Sequence, residues 1–289
     1  MSNNKNILVT GANGQLGMEF RTLSSIEPHL HFTFVTKEML SIHDFDAISA
    51  YFKHHSFDVC INCAAYTAVD KAESERELAM LINARAVENL AAICKQYNTQ
   101  FIHFSTDYVF NGRGTSPYLE TDTTDPVNYY GETKLLGELA AIQNNAESIV
   151  IRTSWVYSSF GNNFVKTMLR LMAERSSIGV VNDQWGCPTY AADLAQAVLQ
   201  IIQQPSPLPG IYHYCNEGII NWYEFASTIA TFINSNCVVQ PIVSSAYPTP
   251  ALRPAYSVLN TKKIQHQFQL IIPTWKESLR VCLNQIQGQ

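Results

Sequence analysis

The chain is expected to be an α/β protein: a doubly wound parallel sheet with a smaller α/β lobe beside it. Three observations carry this expectation. Short apolar runs alternate with amphipathic helical patterns through the first half of the 289 residues. A glycine-rich turn, "TGANGQLG", follows the first apolar run. After about residue 156 the alternation loosens. Strands alternating with helices indicate a parallel sheet covered on both faces. Right-handed crossovers make it doubly wound, in the Rossmann-like manner.

In chain order, "KNILVTGANGQLGMEFRTLS" reads as strand, glycine turn and helix. "HFTFVT" is a second strand and "DFDAISAYFKHH" a helix; "DVCINCAAY" is a third apolar run. "ELAMLINARAVENLAAICKQYN" has apolar residues three and four apart, which predicts one long amphipathic helix. "QFIHFSTDYVF" is a strand, "YYGETKLLGELAAIQNN" a helix and "SIVIRTSWVY" the next strand. Beyond these, "NNFVKTMLRLMAE", "AADLAQAVLQIIQQ" and "NWYEFASTIATFI" read as helices and "GIYHYCN" as one more sheet strand. The proline-rich "SSAYPTPALRPAYS" is a loop or extended strip. Residues 1–155 with about 190–216 are expected to form a dinucleotide-binding domain, and about 156–189 with 217–289 a substrate-binding lobe.

Composition sets limits. With 46% hydrophobic and 15% charged residues the chain is ordinary for a globular protein. A net charge of −5 and no basic run longer than "KK" argue against nucleic-acid or anionic-membrane partners. "MSNNKNILVTGANG" does not read as a signal peptide, because the apolar run Ile7–Val9 is too short. No stretch approaches the ~18 apolar residues of a membrane span. Seven scattered cysteines fit reduced thiols, so a cytoplasmic location is expected. Cys60 and Cys63 form a C-x-x-C inside an apolar run, with no second such pair to complete a zinc site. They read as core-strand cysteines rather than a redox pair.

Gly11, Gly14 and Gly17 lie between a strand and a helix. Glycines there let the backbone approach a phosphate, and the helix N-terminus offers free N–H groups to a pyrophosphate. A plain glycine turn is the alternative. The cofactor's ribose is read near the end of the second strand, where Lys37 suits a 2′-phosphate and Glu38 a 2′-hydroxyl. NADPH is the favoured expectation, with NADH open.

Tyr130 and Lys134 stand at i and i+4, on one helix face. A phenol titrates near ~10, and a neighbouring ammonium lowers that value. The pair then suits acid–base work beside a carbonyl, with Lys134 also placed to hold the nicotinamide ribose. Taken alone, Y-x-x-x-K is common and reads as a surface pair on an amphipathic helix. Ser105 and Thr106 lie where an apolar strand turns polar, the end at which parallel sheets bind ligands. A hydroxyl there can steady a developing oxyanion, or simply cap a turn.

These features resemble the extended short-chain dehydrogenase/reductase superfamily. More closely, "AAYTAVDKAESE", "STDYVFNG", "YYGETKLLGE", "IRTSWVYSSFGNNFVKTMLRL", "VNDQWGCPT" and "SAYPTPALRP" are similar to the dTDP-4-dehydrorhamnose reductase family over nearly the whole chain. The resemblance implies NAD(P)H-dependent reduction of a 4-keto group on a dTDP-linked deoxysugar. It implies Tyr130 as proton donor, Lys134 as its partner and Thr106 at the keto oxygen. Gly14, Gln15 and Leu16 would touch the pyrophosphate; Ser41 and Ile42 would lie near adenine; Ala65, Tyr66 and Thr67 would line the cofactor. Ser105 and Asp107 would adjoin the sugar, Trp155 would cover it, and Asn163 and Arg253 would contact the diphosphate.

Some members hold Mg²⁺ with carboxylates at a subunit contact. Glu19 matches one such position, but Ala192 stands where a glutamate would complete the site, and helical geometry turns the adjacent Asp193 elsewhere. No metal is therefore expected, and the oligomer is left as monomer or homodimer. Related dehydratases follow the threonine with Asp-Glu; here Thr106 is followed by Asp107 and Tyr108, so elimination lacks its second carboxylate. Two other readings stay open: a reductase of another nucleotide-linked 4-keto-deoxysugar, and a non-catalytic dinucleotide-binding regulatory subunit.

Overall fold

The computed structural model describes residues 4–288. The first part of the chain forms β1 (Lys5–Thr10), α1 (Gln15–Ser24), β2 (Leu30–Val35), α2 (Phe45–His54) and β3 (Val59–Asn62). It continues with α3 (Val69–Ala72), α4 (Arg76–Met80), a π-helical turn (Leu81–Arg85), α5 (Ala86–Gln96), β4 (Gln100–Thr106), α6 (Tyr129–Asn144) and β5 (Ile149–Thr153). The second part contains β6 (Val156–Tyr157), α7 (Phe164–Glu174), β7 (Ser177–Val181), β8 (Trp185–Gly186), β9 (Thr189–Tyr190), α8 (Ala191–Ile202) and β10 (Gly210–His213). It ends with β11 (Ile220–Asn221), α9 (Trp222–Phe232), β12 (Val238–Ile242), α10 (Lys262–Phe268) and α11 (Trp275–Gln287).

The main sheet has six strands in the order β10-β5-β4-β3-β1-β2, all parallel. Its strands are apolar on both faces, as a doubly covered sheet requires. Ile7, Val9, Ile61, Ile102 and Ile151 pack with Phe20 of α1 and Leu194 and Val198 of α8. Leu8, Cys60, Phe101 and Val150 face the other way, onto Ile48 of α2, Leu90 of α5 and Ala141 of α6. Strand order reverses between β1 and β3, and a crevice opens there beyond the carboxyl ends, where such sheets bind ligands.

A separate core joins α7, α9 and α11 through Val165, Met168, Phe225, Ile229, Leu279 and Leu283. Capping starts these helices. The Asn163 side chain accepts from Lys166 N–H, Asn221 from Glu224 N–H, and Thr274 with Glu277 forms a reciprocal box. The strand "GIYHYCN" does join the main sheet, beside β5. α10 also packs there, burying Ile264 and Phe268 in the core that contains Tyr212 of β10.

Three elements differ from the sequence pattern. The strand expected over "QFIHFSTDYVF" stops at Thr106, and Asp107–Val109 form a 3-10 turn. The long helix expected from residue 77 is interrupted by the π turn, a single widened turn that the spacing of apolar residues does not show. "SIVIRTSWVY" is not one strand: β5 stops at Thr153, Trp155 takes φ +48°, and β6 leaves the sheet to pair with β9.

Candidate active site

The glycine turn comes first. Gly11 has φ +63°, and a Cβ there would lie 2.6 Å from the Ala64 backbone nitrogen. A Cβ on Gly17 would meet the Gly11 carbonyl oxygen at 2.5 Å. Gly14 caps α1 without a side-chain acceptor, so the first N–H groups of the helix are left for something outside it. Gln15 and Leu16 open the helix; the Gln15 side-chain oxygen accepts from Asn163, and Leu16 packs against the sheet core.

Beyond this turn lies a cavity of about 260 Å³ lined by Gly11, Gly14, Lys37, Ser41, Ile42 and Ala65, among others. Glu38 borders it too. Cys63 also lines it, so only Cys60 is a strand residue of the C-x-x-C pair, and all seven cysteines are free thiols. Tyr66 and Thr67 follow Ala65. The Tyr66 backbone is held by Asn83: its N–H donates to the Asn83 oxygen at 2.8 Å and its carbonyl accepts from Asn83 Nδ2 at 3.0 Å. Asn83 sits in the π turn and also reaches Thr133 on α6. Sequence patterning missed it, since it falls inside a helical repeat.

At the end of β4, the Thr106 hydroxyl donates to Asp107 at 3.0 Å and accepts from Tyr108 N–H. Ser105 is buried, with its hydroxyl unpaired among the described residues; one Asp107 oxygen is unpaired as well. Burial pushes the Asp107 carboxyl up to about 7, against the opposing bonds from Ser257 and Thr106. Tyr130, in the first turn of α6, is half-buried and meets the Tyr108 ring edge-on at 5.9 Å. Burial raises its phenol above the usual range and the Asp107 charge adds to this, while the Thr106 hydroxyl works the other way.

Lys134 departs from expectation. It does not acidify Tyr130 among the protein's own groups. Its Nζ donates to the Phe104 carbonyl at 2.6 Å and lies 3.3 Å from His103 Nε2. One helical turn places the two residues on one face, but the long lysine side chain carries its tip under the sheet end. Burial lowers the Lys134 pKa to about 8, against the Glu138 charge.

A larger cavity, about 610 Å³, lies next to this centre, lined by Tyr108, Trp222, Arg170, Arg175 and Arg253 among others. Arg253, on the proline-rich strip, donates to Asp70 at 2.9 Å and to the Ala251 carbonyl. Trp155 stacks on Trp222 with centroids 3.5 Å apart, and its left-handed backbone is a strained one for so large a residue. Asn163 spends its amide donors on Gln15, Ser158 and Phe160, which makes it a cap and a bridge. Arg170, Arg175 and Trp222 were absent from the sequence reading; two arginines closing one helix were the available signal.

Glu19 is buried and accepts from Ser158 at 2.6 Å. Burial raises its carboxyl, the Ser158 bond opposes this, and the Asp193 charge raises it further, so Asp193 is not turned wholly away. Asp193 accepts from Asn216 and Ser278. Among the described residues, no group of three or more His, Cys, Asp or Glu side chains is placed to hold a metal ion. None of the described helices is long and apolar enough to cross a membrane.

Similarity to known proteins runs the length of the chain. The dTDP-4-dehydrorhamnose reductase of Escherichia coli K12 is 40% identical, over 97% of this chain and 98% of that one. The spore coat polysaccharide biosynthesis protein SpsK of Bacillus subtilis is 42% identical, over 96% and 97%. A crystal structure of the Bacillus anthracis dTDP-4-dehydrorhamnose reductase in complex with NADP superposes with a TM-score of 0.94 at 36% identity, covering 98% of this chain and 99% of that one. The dTDP-glucose 4,6-dehydratase DesIV of Streptomyces venezuelae, 13% identical with a TM-score of 0.81, shares the fold. The family model of the RmlD substrate binding domain matches residues 5–287, and the chain belongs to that family.

Proposed function

We propose that the chain reduces the 4-keto group of dTDP-4-dehydro-L-rhamnose with NADPH, giving dTDP-L-rhamnose, a precursor of cell-surface polysaccharide. The names of relatives alike over nearly their whole length support this. The observation that carries it is local: the Tyr130 phenol and Thr106 hydroxyl stand together at the end of β4, beside a cavity lined by three arginines. Arginine forks suit a diphosphate.

The residues present fit a dinucleotide. The glycine cradle would be filled by any Cβ, and the uncapped start of α1 offers N–H donors to a pyrophosphate. Gly14, Gln15 and Leu16 would hold the pyrophosphate, Ser41 and Ile42 the adenine end, and Lys37 a 2′-phosphate. The Asn83-clamped loop of Ala65, Tyr66 and Thr67 would line the remainder. Bound there, NADPH supplies a hydride. Tyr130, whose phenol stays protonated at neutral pH, gives its proton to the oxygen that gains charge. Thr106 hydrogen-bonds that same oxygen, and Lys134 holds the ribose as a cation. Ser105 and Asp107, each with an unsatisfied buried oxygen, face the sugar. Trp155, braced by Trp222, covers it, and Arg253 leaves Asp70 for the diphosphate, with Asn163 holding the loop beneath. Tyr108 occupies the place after Asp107 where a dehydratase has its second carboxylate, which favours reduction over elimination. We assign residues 1–155 with about 190–216 to cofactor binding and the remainder to the substrate, in a cytoplasmic enzyme; seven free thiols suit that compartment.

Nicotinamide absorbance with the keto-sugar tests this reading. Tyr130→Phe should lose about 10²–10⁴-fold in kcat, with NADPH affinity within about twofold of the parent. Full activity in that variant would remove Tyr130 as the donor. Cofactor binding without any turnover in the parent would favour the regulatory subunit.

A further inference from the structure

A row of buried polar side chains crosses the carboxyl ends of three neighbouring strands and stops at Lys134. Thr10 on β1 is in register with Asn62 on β3, and Asn62 with His103 on β4. The Thr10 hydroxyl donates to Asn62 Oδ1 at 2.7 Å, Asn62 Nδ2 lies 3.2 Å from His103 Nδ1, and His103 Nε2 lies 3.3 Å from Lys134 Nζ. His103 and Lys134 are 1% and 2% exposed, so water does not reach into this row.

The donors and acceptors can be assigned one after another. The Ala64 backbone N–H donates to Asn62 Oδ1 at 3.2 Å, and a backbone N–H has no other role available. That anchors the Asn62 amide, with its nitrogen toward the histidine. His103 Nδ1 must then accept, and a neutral ring with a bare Nδ1 carries its proton on Nε2. Burial and the Lys134 charge push the His103 pKa well below its usual value, so the ring is neutral across the working range. An Nε2–H therefore points at Lys134 Nζ. Against an ammonium this is donor facing donor; against a neutral amine it is a hydrogen bond.

We propose that His103, held as its Nε2–H tautomer by the Thr10–Asn62 row, is a positioning residue that favours the neutral amine of Lys134 and so sets the upper pH limit of the reaction. This rests on the reading of Lys134 as the cation at the ribose. Other charges near Lys134 are few. Glu138, one turn further along α6, favours the ammonium, but it is held by Arg152 of β5 at 2.7 Å. Tyr130 precedes it by one turn, and Asp107 at the end of β4 faces Tyr130. Glu73 and Arg76 engage Tyr129 rather than the lysine. The π turn contributes Asn83, which carries no charge.

The direction is explicit. The Lys134 pKa is lowered, so its charge is present below about 8 and lost above it. NADPH affinity and kcat/KM fall together as pH rises through that value. Removing the facing N–H raises the pKa. In His103→Leu the alkaline limb moves up by about one pH unit, a tenfold change in proton affinity. Asn62→Asp presents a second acceptor to the ring, turns its proton to Nδ1, and moves the limb the same way while retaining the histidine.

The test has two readouts. The ring ¹⁵N spectrum of the parent, assigned by the signal missing from His103→Leu, should show Nε2–H with a bare Nδ1 from pH 6 to 9. The NADPH dissociation constant, followed by nicotinamide fluorescence against pH, should shift in both variants. A parent spectrum with the proton on Nδ1 overturns the proposal, as does an alkaline limb unmoved in both variants. Lys134→Met separates the two claims: if it binds and turns over like the parent, the lysine's assigned role fails, while the ¹⁵N spectrum still decides the tautomer of His103.

Discussion

The two cavities of this molecule have different walls. The smaller is lined by the loops that follow three adjacent strands, and at Gly11 its wall is backbone set against the Ala64 backbone. The larger is walled by side chains from segments far apart in the chain: Asp70, Tyr108, Arg170, Trp222 and Arg253. A backbone wall is rigid and tolerates no added atom, because the sheet core behind it cannot move. A side-chain wall loses single contacts one at a time. On the proposed function, the first would hold the cofactor and the second would select among substrates.

Several substitutions would break or sharpen this contrast. Gly11→Val should have the largest effect. Its Cβ would press on the Ala64 backbone in a left-handed conformation that costs a branched residue about 1–2 kcal/mol even without the clash. NADPH titration should show binding weakened by about 100-fold or more, with a lower melting temperature; parental affinity would end the idea of a rigid wall. Arg253→Ala should raise the substrate KM by about 10–100-fold, the worth of charge-assisted hydrogen bonds. NADPH affinity should not move, and the melting point should barely change, since its pair with Asp70 is partly exposed. A change in cofactor affinity would show that the two walls are coupled. Trp222→Ala removes the ring that braces Trp155, worth about 1 kcal/mol beyond its area. A KM raised severalfold at unchanged NADPH affinity is expected.

The smallest effect concerns pH. The Asp107 carboxyl is raised to about 7, well above its usual range. The folded chain holds this proton more tightly than the unfolded one, so the stabilisation is full at low pH and is lost as pH rises toward about 7. Asp107→Asn should flatten the fall in melting temperature between pH 5 and 8 by a few degrees, read by circular dichroism. An unchanged slope would mean the carboxyl is hydrated rather than buried.

Much of the smaller cavity was legible in the chain. Gly11, Gly14 and Gly17 follow a strand and open a helix, and that local order is enough to predict an anion-binding turn. The placement of Tyr130 and Thr106 was legible for a related reason: each lies at the end of a predicted element. Asn83, Arg170, Arg175 and Trp222 were not. Their periodicity is that of any amphipathic helix, and only packing shows that Asn83 clamps Tyr66 and that the other three line a cavity. The acidifying effect of Lys134 on Tyr130 is not seen among the protein's own groups, because helical spacing sets the face a residue occupies but not where a long side chain ends.

By itself the sequence determined the alternation of strands and helices, the parallel sheet and the place of the glycine turn. Those follow from hydrophobic period and backbone sterics, which act over a few neighbouring residues. The tertiary structure alone decided the π turn, the break at Trp155, the row from Thr10 to Lys134 and the direction of each titration. Those depend on burial and on partners brought together from distant segments, and neither quantity exists until the chain has packed.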